Sequence, residues 1–275
     1  MKQRLLTAAI GLALFAVIML FFETLIYNAA IAVLCFLAVY ELLVSTKYVQ
    51  SRPLLAAGLA FALAAPFLRM QAIRPYSILF LALFVGMLFF ILLRCHDTVR
   101  MEQIGLVFFI SVFFPFALTS LIYIRDQFGG FLGFYYTLLI FACAWGADAG
   151  AYFIGRLFGK RKLAPAISPN KTVEGLIGGM AACLLIMALV TWAYGGYADY
   201  LGIAFHPRWL VMLLTGLVGS LLSVFGDLSA SIIKRQSAIK DFGSIMPGHG
   251  GVVDRFDSIF FVAPFFYLVL QFIQF

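Results

Sequence analysis

Charge is scarce in this sequence. Only 11% of its 275 residues are Asp, Glu, Lys or Arg, whereas a soluble domain carries about 25%. That shortage excludes a water-soluble enzyme and a disordered chain, which both need a hydrated surface. Cysteine is sparse too: Cys35, Cys95, Cys143 and Cys183 are scattered, with no CxxC or Cys/His spacing. They exclude a disulfide scaffold and read as small buried hydrophobes. No basic run is longer than Lys160, Arg161 and Lys162, so a nucleic-acid partner is not expected. Internal repeats and linkers are lacking as well.

What is present is apolar: 64% hydrophobic residues, 17% aromatic, with 31 Phe. The apolar residues run in unbroken blocks instead of alternating, which disfavours a transmembrane β-barrel. The blocks approach the ~20 residues that cross a bilayer. Nine are predicted: 5–22, 25–44, 53–68, 76–93, 104–124, 133–155, 175–194, 209–226 and 258–274. Backbone amides find no water in hydrocarbon, so the blocks should be helices. The expected fold is all-α, a polytopic integral membrane protein of about nine spans.

Basic residues orient the spans. With the N-terminus inside, 15 of the 19 Lys and Arg, including every Lys, fall in inside segments. Arg69, Arg74, Arg125 and Arg208 fall outside. The net charge of +7 follows from this bias and adds attraction to anionic lipids. Trp192, Tyr194, Tyr197 and Tyr200 suit an outer aromatic belt. The basic-then-apolar start resembles a signal peptide, but its apolar stretch is long and no small-residue cleavage site follows, so an uncleaved first span is expected.

The two halves differ. Residues 1–135 are plain spans, expected to serve as scaffold, lipid access or dimer contacts; Glu23, Glu41, Asp97, Glu102 and Asp126 sit at block ends and need no function. In residues 136–275 the acids lie within or beside apolar segments, near cations. An ionisable group there is costly and a functional candidate by default. The chemistry is therefore expected in the second half, on the cytoplasmic side.

Three segments carry it. In the first, Asp227, Ser231, Lys234 and Arg235 stand at i, i+4, i+7 and i+8, one stripe of a helix. Asp254, Asp257 and Ser258 make a second stripe opening the last span. Between them lie Lys240, Asp241 and the turn Pro247-Gly248-His249-Gly250-Gly251, whose glycines permit close backbone approach to an anion. Carboxylates from two helices meeting at a turn suit an oxygen-seeking cation such as Mg²⁺. The alternative is that these acids pair with Lys234, Arg235 and Arg255 as structural ion pairs. The second segment places Asp148, Tyr152 and Arg156 at i, i+4 and i+8 among small residues that favour helix contact. In the third, Ser168 or Asn170 would cap a helix beginning near Pro169. Lys171 and Thr172 offer an ammonium and a hydroxyl to a phosphate, and Glu174 either binds metal or pairs with Lys171.

Ser231-Ile-Ile-Lys-Arg, then Lys240-Asp-Phe-Gly, then Pro-Gly-His-Gly-Gly-Val-Val-Asp254-Arg-Phe-Asp257 resembles the signature of the phosphatidate cytidylyltransferases, or CDP-diacylglycerol synthases. Ser168-Pro-Asn-Lys-Thr-Val-Glu-Gly and the Asp148 segment resemble that family in the same order. One departure is Ala230, where many members have Glu. The resemblance implies a polytopic, commonly dimeric enzyme of the bacterial inner membrane. It would use Mg²⁺, and by some proposals a monovalent cation such as K⁺, with CTP and phosphatidic acid. It attributes Asp227 and Asp254 to a metal centre and the segments 168–174 and 234–257 to the active site. Lys234, Arg235, Lys240, Arg255 and the Gly-His-Gly-Gly amides would then hold phosphates; Asp241 would support Lys240, and Asp257 would orient Arg255. Three rivals are a CTP-dependent lipid-alcohol kinase with His249 or an Asp as base, a cytidylyltransferase for another lipid phosphate, and an ion-coupled transporter using Asp148 and Asp227.

Overall fold

The computed structural model describes residues 2–245 and 250–275. The described residues are mainly helical, with one short hairpin. The helices are α1 (Lys2–Leu20), α2 (Leu25–Ser45), α3 (Arg52–Ala64), α4 (Ser77–Arg94), α5 (Met101–Phe158), α6 (Val173–Leu201), α7 (Trp209–Gln236), α8 (Val253–Phe256) and α9 (Ile259–Leu270). Among the described residues, five helices are long and apolar enough to cross a membrane. One of them, α5, spans 58 residues and is broken at Gly129, whose φ of 73° interrupts the helical backbone. The blocks 104–124 and 133–155 lie on either side of that break. The third and ninth blocks correspond to apolar helices of 10–17 residues, shorter than the ~20 of a full crossing. The outward side chains are apolar: Ile78, Leu93, Trp192 and Leu210 are all exposed, as hydrocarbon demands and water forbids. This is a membrane protein.

Local chemistry sets the helix ends. Thr24 caps α2, its side chain accepting from the Ile26 amide at 3.2 Å, and Pro53 sits in the first turn of α3, where no amide is missed.

The chain forms two compact units, Met1–Tyr123 with Ile233–Arg255, and Ile124–Ile232 with Phe256–Phe275. In the first, α2 packs on α3 and α3 on α4. The Asn28 side chain donates to the Pro66 carbonyl at 3.1 Å, holding a buried polar group inside an apolar bundle.

In the second unit α5 and α6 touch backbone to backbone. A Cβ on Gly150 would stand 2.9 Å from the Gly178 carbonyl and 3.1 Å from the Gly179 Cα, so only glycine fits. An aromatic cluster of Phe131, Tyr135, Tyr194 and Phe205 fills one end. Tyr194 is buried and donates its hydroxyl to the Phe131 carbonyl at 2.8 Å. It therefore leaves the expected belt, while Trp192, Tyr197 and Tyr200 stay exposed.

The segment 162–172 corrects the sequence reading. It is an antiparallel hairpin, β1 (Lys162–Ala164) with β2 (Ser168–Thr172), pairing Lys162 with Thr172 and Ala164 with Ser168. Pro169 thus lies in a strand, and α6 begins at Val173. The cap is Thr172, not Ser168 or Asn170: its Oγ1 accepts from the Gly175 amide at 3.1 Å. Its extended backbone, φ −126° and ψ 156°, is the geometry a cap needs.

Candidate active site

In the second unit, α5, β2, α6 and α7 surround a pocket of about 410 Å³, within the range of small-molecule sites. Asp148 and Arg156 come from α5, Asn170, Lys171 and Thr172 from β2, and Asp227 from α7. Pairing β2 against β1 brings Lys171 across to α7, where its Nζ lies 2.5 Å from Asp227 Oδ2. Asp227 Oδ1 accepts from the Ser231 hydroxyl at 3.3 Å, one turn along the same helix. The Asp227 side chain keeps 31% of its surface exposed. Asp148 is held deeper: Oδ1 accepts from Ser223 at 3.1 Å and Oδ2 from Ser258 at 2.9 Å. At the rim, Arg156 donates to the Tyr152 hydroxyl at 3.2 Å. The pocket therefore holds two acids and two cations, of which Lys171 and Asp227 are paired, among hydroxyl and amide oxygens.

Glu174 is spent on the backbone. It accepts from the Lys160 amide at 3.0 Å and the Arg161 amide at 3.1 Å, which fixes the basic turn ahead of β1. The pairing with Lys171 offered by the sequence goes instead to Asp227.

In the first unit Asp254 is the hub. Oδ2 accepts from the Phe242 and Gly251 amides, each at 2.9 Å, and Oδ1 accepts from Lys234 Nζ at 2.9 Å. Only 3% of its side-chain surface is exposed. Lys234 also lies 5.6 Å from the centre of the buried Phe242 ring. Gly250, at φ 84°, has no room for a Cβ, which would meet Asp254 Oδ2 at 2.7 Å. The Gly251 amide, read as part of a phosphate cradle, is turned inward onto this carboxylate. Lys240, Asp241, Arg235 and Arg255 are exposed. Gly248 and His249 lie outside the described residues.

The stripe Asp254, Asp257 and Ser258 is not one helix. Asp254 belongs to α8, and α9 begins only at Ile259. Asp257 turns to the following backbone, Oδ1 accepting from the Ser258 amide at 2.8 Å. The stripe Asp227, Ser231, Lys234 and Arg235 does lie on one helix, α7.

Glu41 was passed over in the sequence. It is 2% exposed and accepts from the Val252 and Val253 amides, each at 2.9 Å. A signal existed, since the block drawn as 25–44 contains this acid, and an acid within a span is a functional candidate by default.

An oxygen-rich donor set of Asp227, Asp148, Asn170 and Thr172 suits a hard divalent cation. Asp254 already uses three of a carboxylate's roughly four acceptor positions. Among the described residues no group of three or more His, Cys, Asp and Glu side chains is arranged to hold a metal ion. A metal held here would take part of its coordination from substrate oxygens, as is common for Mg²⁺ bound together with phosphates.

Fold and site define a membrane protein with a pocket lined by two acids and two cations. Residues 2–273 match the model of the cytidylyltransferase family. The phosphatidate cytidylyltransferase of Bacillus subtilis (strain 168) is 33% identical over 280 residues, covering 98% of this chain and 97% of that one. Those of Staphylococcus saprophyticus and Staphylococcus epidermidis are 45% identical over 138 residues and 42% over 164. These two alignments cover 50% of both chains for the first, and 56% of this chain and 58% of the relative for the second. The chain belongs to the cytidylyltransferase family.

Proposed function

We propose that this chain transfers CMP from CTP to phosphatidic acid, giving CDP-diacylglycerol and pyrophosphate. The observation that carries this reading is the full-length match to a phosphatidate cytidylyltransferase. The pocket, with Asp227 and Lys171 paired beside Asp148 and Arg156, accords with it. The transporter and lipid-alcohol kinase readings are not favoured beside those relatives.

The lipid phosphate is already a nucleophile, because a phosphate monoester loses its second proton near pH 6, about one unit below neutrality. No strong general base is needed. A lipid phosphate oxygen forms a bond to the α-phosphorus of CTP, and the bond from that phosphorus to the bridging oxygen breaks, releasing pyrophosphate. The barrier lies in bringing two anions together and in the charge that gathers on the leaving group.

Asp227 in one unit and Asp254 in the other are each proposed as a metal ligand, and Mg²⁺ would supply positive charge to the triphosphate. Lys171 and Lys234, each paired with a carboxylate, would offer their ammonium groups to phosphate oxygens. Arg235, Lys240, His249 and Arg255 supply further donors. Asp148 and Asn170 orient the pocket; Thr172 and Glu174 fix the segment that carries Lys171. A monovalent cation, a homodimer and a bacterial inner-membrane setting belong to the same proposal. So does a cytoplasmic N-terminus and active site, which the lysine distribution supports.

The test uses purified protein with labelled CTP, phosphatidic acid and Mg²⁺. Liponucleotide and pyrophosphate should appear in equal amounts. Release of CDP with a newly phosphorylated lipid would overturn the reading.

A further inference from the structure

Glu41 stands on α2, with its carboxylate among the backbone amides of residues 251–253. Among the described residues no Lys or Arg lies within ion-pair distance of it. A buried carboxylate without a cation is costly unless strong hydrogen bonds compensate, and here two amides at 2.9 Å do so. The backbone is shaped to admit it: a Cβ on Gly243 would lie 2.5 Å from Glu41 Oε1, and one on Gly251 would collide with the same carboxylate. One helical turn beyond Glu41, Ser45 donates its hydroxyl to the Phe242 carbonyl. Glu41 and Ser45, four apart on one face of α2, therefore hold Val252 and Val253 on the one hand and Phe242 on the other.

Asp254 works from the other side of that segment. The Gly251 amide goes to Asp254, and the Val252 and Val253 amides go to Glu41. Three consecutive amides thus end on two carboxylates. Asp254 in turn fixes Lys234. A chain of contacts runs from Glu41 through the loop backbone to Asp254 and the Lys234 ammonium.

We infer that Glu41 is a positioning residue of the transfer reaction, holding residues 251–253 so that Asp254 and Lys234 meet the nucleotide phosphates. This rests on the function proposed above, and it gives an N-terminal helix a part in catalysis. Glu41→Gln keeps the shape but sets an amide donor against a backbone donor. It should lower kcat/KM for CTP at least tenfold, keep the KM for phosphatidic acid within twofold, and raise hydrogen exchange at residues 251–254. Glu102→Gln, an exposed acid of α5, should change none of these. Gly251→Ala attacks the same contact from the loop and should show the same kinetic split. Because its methyl enters the space that Glu41→Ala empties, the double variant should be no worse than Gly251→Ala alone.

A wild-type kcat/KM for CTP in Glu41→Gln would overturn the inference. So would equal losses for both substrates accompanied by a lowered melting temperature, which mark a purely structural role. Failure of the unaltered protein to make liponucleotide would instead remove the functional reading, and this inference with it.

Discussion

Two lysine–aspartate pairs, one in each unit, carry the same charges and live in opposite surroundings. Lys171 and Asp227 face a pocket, with 21% and 31% of their side chains exposed. Lys234 is 18% exposed, much like Lys171, but its acid Asp254 is enclosed at 3%. Asp227 has a single hydroxyl besides its lysine, while Asp254 has two backbone amides. A solvated pair contributes about 0–1 kcal/mol and exchanges partners easily. A buried pair that loses one member costs about 3–5 kcal/mol, because a bare charge is left inside. The two carboxylates therefore differ: Asp227 is placed to change partner, while Asp254 is tied to the backbone.

The comparison is sharpened most by Asp227→Asn. Turnover should fall by roughly two orders of magnitude or more, while the thermal midpoint in detergent moves little. Initial rates at saturating CTP and phosphatidic acid decide this, and an unchanged rate would strip Asp227 of its role. Next comes Asp254→Ala, which strands the Lys234 charge and should cost about 3–5 kcal/mol of stability, read as a large drop in midpoint. Adding Lys234→Met should recover part of that loss without restoring activity. If Asp254→Ala melts no earlier than Asp227→Ala, the division between the pairs is wrong. Thr172→Ala removes the α6 cap under Lys171 and should cost about 1 kcal/mol, with Thr172→Ser close to unaltered in the same melting assay. Ser231→Ala deletes only a 3.3 Å hydroxyl contact and should shift stability by less than about 1 kcal/mol.

The long helices were legible because hydrocarbon enforces one rule on every residue: the block 25–44 became α2 at Leu25–Ser45. The acid and hydroxyl spacing of α7 was legible for the same reason, since helical period fixes which side chains share a face. Partner choice was not. Lys171 had Glu174 three residues away, yet the hairpin carries it to Asp227, a pairing of strand and distant helix that local spacing does not encode. The hairpin itself escaped because Ser, Pro, Asn and Thr are as much turn and cap residues as strand residues, and only the pairing with 162–164 decides. Glu41 escaped because an acid near a span end resembles a solvated one. Its partners lie 211 and 212 positions downstream.

That distance bears on how the protein is made. A ribosome must extend the polypeptide some two hundred residues past α2 before the amides that quench this carboxylate exist. Until then the early helices sit in the bilayer with an unsatisfied acid, and premature stops ahead of residue 250 should leave fragments open to membrane quality-control proteases.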